Sequence, residues 1–298
     1  MQRFTYILFY IFSLLLMLIP TFLRHKLSNL FALLFFYLVK RYRYIVHANL
    51  EHVFPNKYTQ KEKDTIAKQC FKNLLQEVLS VIEFHFTSKK KLQKMIRVEG
   101  EESLRPFREK GQGIVFFTNH YNNLEVAGIG LAKVAQTLHV VQEASNPYLN
   151  AFIARSREKN GLHTIPMNKA VRQLAKQLKN GKDVSLVVDQ SVNEDAGTIV
   201  RIFGKESMHL TSASFLSRKF DAPLIPTQLI KDTKGKWVYK IYPPISFTKT
   251  DDVEKDILYL TQAQAHFLEQ NLKEDPTPWF WCHRRWKKTH PEIYKRDK

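Results

Sequence analysis

The sequence predicts an α/β fold: a largely parallel, mixed central sheet flanked by helices, with an N-terminal membrane-anchor helix. Three observations predict it. Bounded apolar runs of strand length recur at Gly113–Thr118, Thr137–Val141, Val184–Val188, Leu224–Ile230 and Trp237–Tyr242. Segments of helical period lie between most of them, and strands alternating with helices favour a parallel sheet covered on both faces. The last two runs flank Lys234-Gly235, a hairpin signal that makes the pairing mixed at that edge.

The 298 residues are 44% hydrophobic, enough for a sizeable core. Only Cys70 and Cys282 are cysteines, far apart in sequence, so no disulfide framework is expected and a reducing compartment fits. The formal net charge of +18 calls for anionic partners: phosphates, an acidic carrier protein, anionic lipid or nucleic acid. Charge alone does not choose among them.

Phe4 to Leu23 carries no charged residue. A bilayer span takes about 20 apolar residues, so this stretch reads as an uncleaved anchor, with residues 1–26 as anchor and 27–298 as one catalytic domain. A cleaved signal peptide fits less well, because no small-x-small site follows. Arg24, Lys26, Lys40, Arg41 and Arg43 outnumber the single Arg3 before it, which places the domain on the cytoplasmic side of the membrane. Leu27 to Val39 is too short to span and is expected to lie along the membrane or on the domain. A buried N-terminal hairpin in a soluble protein is the alternative.

Thr59 and Glu62 have capping-box spacing and open a helix over about Gln60–Phe84, with Ile66, Cys70, Leu74, Val78 and Val81 in helical register. That helix reads as scaffold. The run Lys89–Lys91 with Lys94 reads as a solvated face or a headgroup contact.

The stretch Gly113–Gly128 is the centre of the chain. A buried strand ends at Thr118, the polar cluster Asn119–Asn123 breaks it, and Asn122 or Asn123 caps a helix that contains Glu125 in its first turn. His120 sits on the turn, one helical turn from Glu125. A histidine whose ring is held by a carboxylate is a general base for a hydroxyl or thiol, worth roughly 10²–10⁴-fold in rate. A turn histidine beside a capping glutamate has the same spacing. No serine or cysteine follows in a nucleophile-elbow pattern, so no covalent acyl-enzyme is implied.

Downstream, Asn146-Pro147 starts a helix that carries Arg155, Arg157 and Lys159 before Gly161. Arg157 offers a planar fork for phosphate or carboxylate, although a basic helix end is also ordinary dipole chemistry. A helix over about Asn168–Lys179 precedes the strand that runs into Asp189-Gln190, and an acid just past a buried strand lies where open α/β sheets meet ligands. The oxygen-rich Asp189–Asp195 is no calcium loop, since Glu194 and Val200 replace the required glycine and glutamate. No motif offers a metal site, and no cofactor is expected. Phe203-Gly204 begins a turn, Thr211 caps a helix through Phe220, and Val253–Leu272 is a long final helix. In the tail Trp279-Phe-Trp-Cys-His-Arg-Arg-Trp286, the tryptophans suit base stacking, a membrane edge or a capped core.

From anchor to tail the chain resembles the late acyltransferases of lipid A biosynthesis, the lauroyl and myristoyl transferases of the lysophospholipid-acyltransferase-like superfamily. Asn49-Leu-Glu-His-Val-Phe-Pro55, His120-Tyr-Asn-Asn-Leu-Glu125, Asn146-Pro-Tyr-Leu149 with Arg157, Asp189-Gln190, Phe203-Gly204, Ile225-Pro226 and the Trp279–Trp286 tail follow in the family's order. The chain departs from it at Asn150, at Arg201-Ile202 and over Lys205–His209, which bear on acyl-chain length and acceptor. The resemblance implies acyl transfer from acyl carrier protein to a hydroxyl of a phosphorylated glycolipid, a lipid A precursor generally bearing the sugar acid Kdo, at the bacterial inner membrane and without nucleic acid. In that mechanism His120 is the base and Glu125 its orienter. Arg157, Asp189, Asn119 and Gln190 are substrate-binding residues, with Asp189 holding Arg157 or an acceptor group. The oxyanion donors are Arg157 or backbone N–H groups, and residues of the helix after Asn123 line an acyl groove. Two alternatives remain: the same chemistry on a lysophospholipid or other glycolipid, and a non-enzymatic, membrane-tethered binder of anionic ligands.

Overall fold

A computed structural model describes residues 2–135, 137–141, 146–166 and 170–295. The chain opens with four helices, α1 (Gln2–Leu18), α2 (Thr21–Leu38), α3 (Lys40–Val53) and α4 (Gln60–Phe86). The α4 start is the expected capping box: the Thr59 hydroxyl accepts from the Glu62 N–H, and the Glu62 carboxylate accepts from the Thr59 N–H at 2.7 Å. Then follow α5 (Lys89–Gln93), β1 (Ile96–Glu99) and α6 (Arg105–Glu109). An alternating unit comes next: β2 (Val115–Thr118), α7 (Leu124–Val134), β3 (Thr137–Val141), α8 (Pro147–Lys159), β4 (His163–Pro166), α9 (Ala170–Lys179) and β5 (Asp183–Val187). The hairpin β6 (Gly197–Ile202) and β7 (Lys205–Leu210), then α10 (Ser212–Phe220), β8 (Leu224–Lys231), β9 (Trp237–Ile241) and α11 (Val253–Glu274) complete the regular structure. Asn168, expected to open the helix now seen as α9, lies outside the described residues.

The main sheet has seven strands in the order β1-β9-β8-β2-β5-β3-β4. Every pairing in it is parallel except β8 with β9, so the mixed edge is where the Lys234-Gly235 turn predicts it. Strand β2 is covered on both faces. Ile114 and Phe116 pack with Val126, Ile129 and Leu131 of α7, and Val115 and Phe117 pack with residues of α9, α10 and α11. That is the burial a run without polar alternation requires. Gly130 permits the close approach of α7, since a Cβ there would lie 2.4 Å from the Tyr239 side chain.

The β6–β7 hairpin is an unexpected sheet of its own. Its turn at Phe203-Gly204 was legible, and both residues adopt left-handed backbone, φ 53° and 72°. Its strands were not, because Arg201, Lys205 and Glu206 interrupt any apolar run.

A third core joins α2, α3 and α4 to the hairpin, α11 and the tail, around the buried Trp279, Trp281 and Trp286. Each indole removes about 200 Å² from water, an upper bound of about 5 kcal/mol apiece at ~25 cal/mol per Å². Of the three readings of the tail, the capped core is the one realised. The three indoles are sealed and have no face left for a base. Asn49 fixes the tail from α3: its amide donates to the Trp281 and His283 carbonyls at 2.8 and 2.9 Å, and its carbonyl accepts from the Tyr294 hydroxyl at 2.5 Å.

The N-terminus differs from the expected single span over Phe4–Leu23. Pro20 N-caps α2, and its missing N–H and fixed φ separate α1 from α2. Residue 26 falls inside α2. Among the described residues no single helix is long and apolar enough to cross a membrane; the pair α2 and α3, bent by 84°, meets the length and composition test only together. Arg24 is buried at the break. It donates to Glu83 of α4 at 2.7 Å, to the Ile19 carbonyl at 2.5 Å and to the Thr21 hydroxyl at 3.0 Å. One side of α1 meets α8 through Tyr6–Tyr148 and Phe9–Phe152 ring contacts. Its other side leaves Leu8, Phe12, Leu15 and Leu18 exposed, and α2 likewise exposes Phe22, Phe31, Leu34 and Leu38.

Candidate active site

Strands β2 and β5 are parallel neighbours in a register that sets Thr118 opposite Val187. Two residues further on each strand come His120 and Asp189. The register therefore brings them level at the C-terminal edge of the sheet. There the chain leaves β2 toward β3 on one side and β5 toward β8 on the other, the place where open α/β sheets form a crevice.

His120 Nδ1 donates to Asp189 Oδ1 at 2.7 Å, and the His120 backbone N–H donates to Oδ2 at 3.0 Å. The Trp279 indole N–H donates to the same Oδ2 at 2.6 Å. With Nδ1 carrying the proton, Nε2 presents a lone pair, which accepts from the Gln190 amide at 3.1 Å. Burial pulls the His120 pKa down, but the charge and hydrogen bond of Asp189 outweigh it, and the ring titrates above its ordinary range. For Asp189, burial pushes the pKa up, yet the His120 charge and the hydrogen bonds from His120 and Trp279 hold it well below the usual carboxylate range. The Asp189 side chain is 1% exposed and that of His120 is 25% exposed, so the carboxylate is sealed while the ring is reachable.

The hydrogen-bond partner of Glu125 is Arg157 rather than His120. Its carboxylate is engaged by Arg157 of α8, with Nη2 2.5 Å from Oε1 and Nε 3.2 and 3.3 Å from the two oxygens. The carboxylate expected to hold Arg157 holds the histidine instead, and the glutamate expected to hold the histidine holds Arg157. The local chain explains the exchange. Asn122 adopts left-handed backbone at φ 61°, Asn123 caps α7 by accepting from the Val126 N–H at 3.1 Å, and Glu125 faces α8. Burial lowers the Arg157 pKa, but Glu125 more than offsets this and keeps the guanidinium charged.

His120, Glu125 and Arg157 line one cavity of about 300 Å³. Its apolar wall comes from Cys70, Leu74, Val78 and Val81 of α4, and Trp279 and Phe280 of the tail close another side, while Leu124, Ala127 and Leu131 of α7 line a smaller pocket against it. The remaining lining includes Glu77, whose carboxyl is pushed up to about 7 by burial and then by the charge of Glu125. The smaller pocket, of about 60 Å³, lies against the same Glu77, Glu125 and Arg157, with Leu131, His139 and Leu162 at its other walls. Asn119 is buried but does not line the cavity, and its side-chain amide has no hydrogen-bond partner among the described residues.

The tail secures the turn that carries His120. Phe280 N–H donates to the His120 carbonyl at 2.9 Å, Asn122 N–H to the Pro278 carbonyl at 2.9 Å, and Tyr121 bridges Trp279. Behind Asp189, the Ser191 N–H donates to His283 at 3.0 Å, and the fully buried Arg285 donates to His209 at 2.6 Å and to the Met208 carbonyl. Sequence reasoning singled out the tail without finding the Trp279 donor, and it read α4 as scaffold, missing Glu77. Leu74 and Val81, three residues before and four after Glu77 on one helical face, were the available signal for an acid on the apolar side of α4. Cys70 and Cys282, remote in sequence, lie with their sulfurs 3.5 Å apart as buried free thiols.

A base with a fixed tautomer, an accessible lone pair, a charged guanidinium nearby and an apolar wall can deprotonate a hydroxyl beside a long aliphatic chain. Comparison with known proteins agrees with this chemistry. Residues 1–288 match the family described as bacterial lipid A biosynthesis acyltransferase. The lipid A biosynthesis lauroyltransferase of Escherichia coli (strain K12) is 24% identical over 256 residues, 85% of this chain and 81% of that protein. The lipid A biosynthesis palmitoleoyltransferase of the same organism is 22% identical, over 84% of this chain and 80% of that protein. A lipid A biosynthesis acyltransferase of Haemophilus influenzae is 21% identical over 272 residues, 91% of this chain and 83% of that protein. With nearly its whole length matched and a base, a guanidinium and an apolar cavity at the strand ends, the chain belongs to the bacterial lipid A biosynthesis acyltransferase family.

Proposed function

We propose that this acyltransferase moves a fatty acyl chain from acyl carrier protein to a hydroxyl of a Kdo-bearing lipid A precursor, with His120 as general base and no covalent intermediate. The acceptor hydroxyl replaces the Gln190 amide at His120 Nε2 and gives its proton to the ring. The oxygen attacks the thioester carbonyl, the C–S bond breaks, and the imidazolium returns the proton to the leaving sulfur. Asp189 fixes the tautomer and stabilises the imidazolium throughout. Arg157, kept charged by Glu125, is the candidate donor to the oxyanion. The observation that carries this reading is the 2.7 Å contact between His120 Nδ1 and Asp189, with the ring lining a cavity walled by Leu74, Val78 and Val81.

The exposed apolar faces of α1 and α2 support attachment to the cytoplasmic face of the inner membrane, where both the acceptor and a soluble acidic carrier are within reach. The +18 charge suits both partners. Detergent-solubilised protein given acyl carrier thioester and a panel of acceptors tests the reading. Transfer to the phosphorylated glycolipid is expected. A product with lysophospholipid alone would make the enzyme a lysophospholipid acyltransferase, and binding of anionic lipid with no product in any arm would leave only a tethered binder.

A further inference from the structure

A second cavity is larger than the one beside His120. It has a volume of about 620 Å³ and lies between the α1–α2 break, α4, α5 and the β8–β9 edge. Its lining mixes apolar side chains with polar and basic ones. Lys72, Lys91 and Lys231 face it from α4, α5 and β8, and among the described residues none of the three has a carboxylate within ion-pairing distance. The single acid in the wall, Glu83, is already occupied by Arg24 at 2.7 Å and His25 at 3.4 Å. Between the lysines stand the amides of Asn29, Gln69, Asn73 and Gln76, and Lys231 lies over the Trp237 ring at 4.5 Å.

We propose that this cavity is the binding site for the phosphorylated, polyhydroxylated headgroup of the acceptor lipid, held by Lys72, Lys91 and Lys231. The inference rests on the acyl-transfer reading and adds to it where the acceptor sits. Three unneutralised cations in one concavity favour an anion of more than one charge, and a ring of amides matches sugar hydroxyls. The concave shape, of a size that encloses a small ligand, excludes the convex surface of a carrier protein. Two relationships aim it at the reaction. Asn73 and Asn122 line both this cavity and the one holding His120, so the two spaces adjoin. Met17, Thr21, Arg24 and His25, at the α1–α2 break, line its rim, while the same two helices expose Leu15, Leu18 and Phe22 outward. A lipid with its chains among those apolar side chains therefore meets the cavity at headgroup depth.

The test is binding to the full chain in detergent micelles, with a bisphosphorylated glucosamine-disaccharide lipid as the probe. Its dephosphorylated counterpart and phosphatidylglycerol are the comparison lipids. Combined K72Q, K91Q and K231Q substitutions are expected to weaken binding of the bisphosphorylated lipid at least tenfold and to leave the dephosphorylated lipid within about twofold, which also reports that the protein is folded. Unchanged affinity overturns the proposal. Equal loss for phosphatidylglycerol overturns it too, because the lysines would then serve only general attraction to an anionic surface. No turnover enters this measurement. A wild-type chain that binds the bisphosphorylated lipid in the expected pattern yet transfers nothing would sink the catalytic reading and leave the site standing.

Discussion

Trp279 and Asp189 are joined by a 2.6 Å hydrogen bond from the indole N–H to Oδ2, so a residue 90 positions further along the chain helps to keep charged the group that holds the His120 ring. Replacing Trp279 by Phe keeps a large ring and removes the donor. Asp189 then becomes more basic, its hold on the imidazolium strengthens, and the acid limb of the rate profile moves to higher pH. A drop in kcat of about tenfold at neutral pH is expected, in line with losing one hydrogen bond to a charged group. A pH profile identical to wild type would refute the link.

The exchange of partners between the two acids gives opposite expectations for their amides. Asp189→Asn removes the carboxylate that fixes the tautomer and is expected to cost 2–4 orders of magnitude in kcat, comparable to His120→Ala at roughly 10²–10⁴-fold. Glu125→Gln loosens Arg157 but leaves His120 paired, so the apparent pKa of the base stays where it is while turnover falls. Kinetic pH profiles of the two variants decide the matter. A base whose pKa moves in Glu125→Gln and not in Asp189→Asn would restore Glu125 as the orienter.

Glu77 ties stability to pH. An unfolded glutamate ionises near 4.3, whereas in the folded chain burial and Glu125 push Glu77 up to about 7. Between those values the folded chain keeps a proton that the unfolded chain has lost, so this residue's contribution to stability declines as pH rises through that window. Glu77→Gln should remove the decline, on the order of 3–4 kcal/mol. The gain in melting temperature over wild type in detergent is then larger at pH 8 than at pH 5. Equal gains at both pH values would contradict the assignment.

Asn49 satisfies three buried groups at once. Leucine at that position keeps the volume and strands two carbonyls and a hydroxyl, at a cost of about 1–3 kcal/mol for each buried group left unpaired. Asn49→Leu is expected to lower the melting temperature and to reduce turnover, because the tail that carries Trp279 loses its anchor. Thermal denaturation and activity on the same preparation check both, and a variant as stable as wild type would show the clamp to be dispensable.

Much of the sheet was legible because its strands are continuous apolar runs between polar turns. The capping box at Thr59 and the Asn146-Pro147 start are likewise local, fixed by residues three apart or fewer. The hidden part was long-range. His120 and Asp189 each stand two residues past the end of a strand, an offset visible in the sequence. That β2 and β5 are neighbours is not visible, because β3 and β4 lie between them in the chain and on the far side in space. Proximity along the chain therefore favoured Glu125, five residues from His120, over Asp189, which is much further along. The break in the N-terminal apolar run was hidden in a different way. Its composition allowed a span, but Pro20 and the buried Arg24–Glu83 pair divide it.

Asp189 depends on an indole contributed by the tail, whereas the apolar helices α1 and α2 precede it, and a ribosome delivers them in that order. As the chain emerges, α1 and α2 present their exposed apolar faces long before Trp279 is synthesised. Until the last segment folds back between α3 and the sheet, the imidazole lacks its finished partner. A chain that ends before the tail therefore lacks both the indole N–H on Asp189 and the backbone bonds that secure the His120 turn.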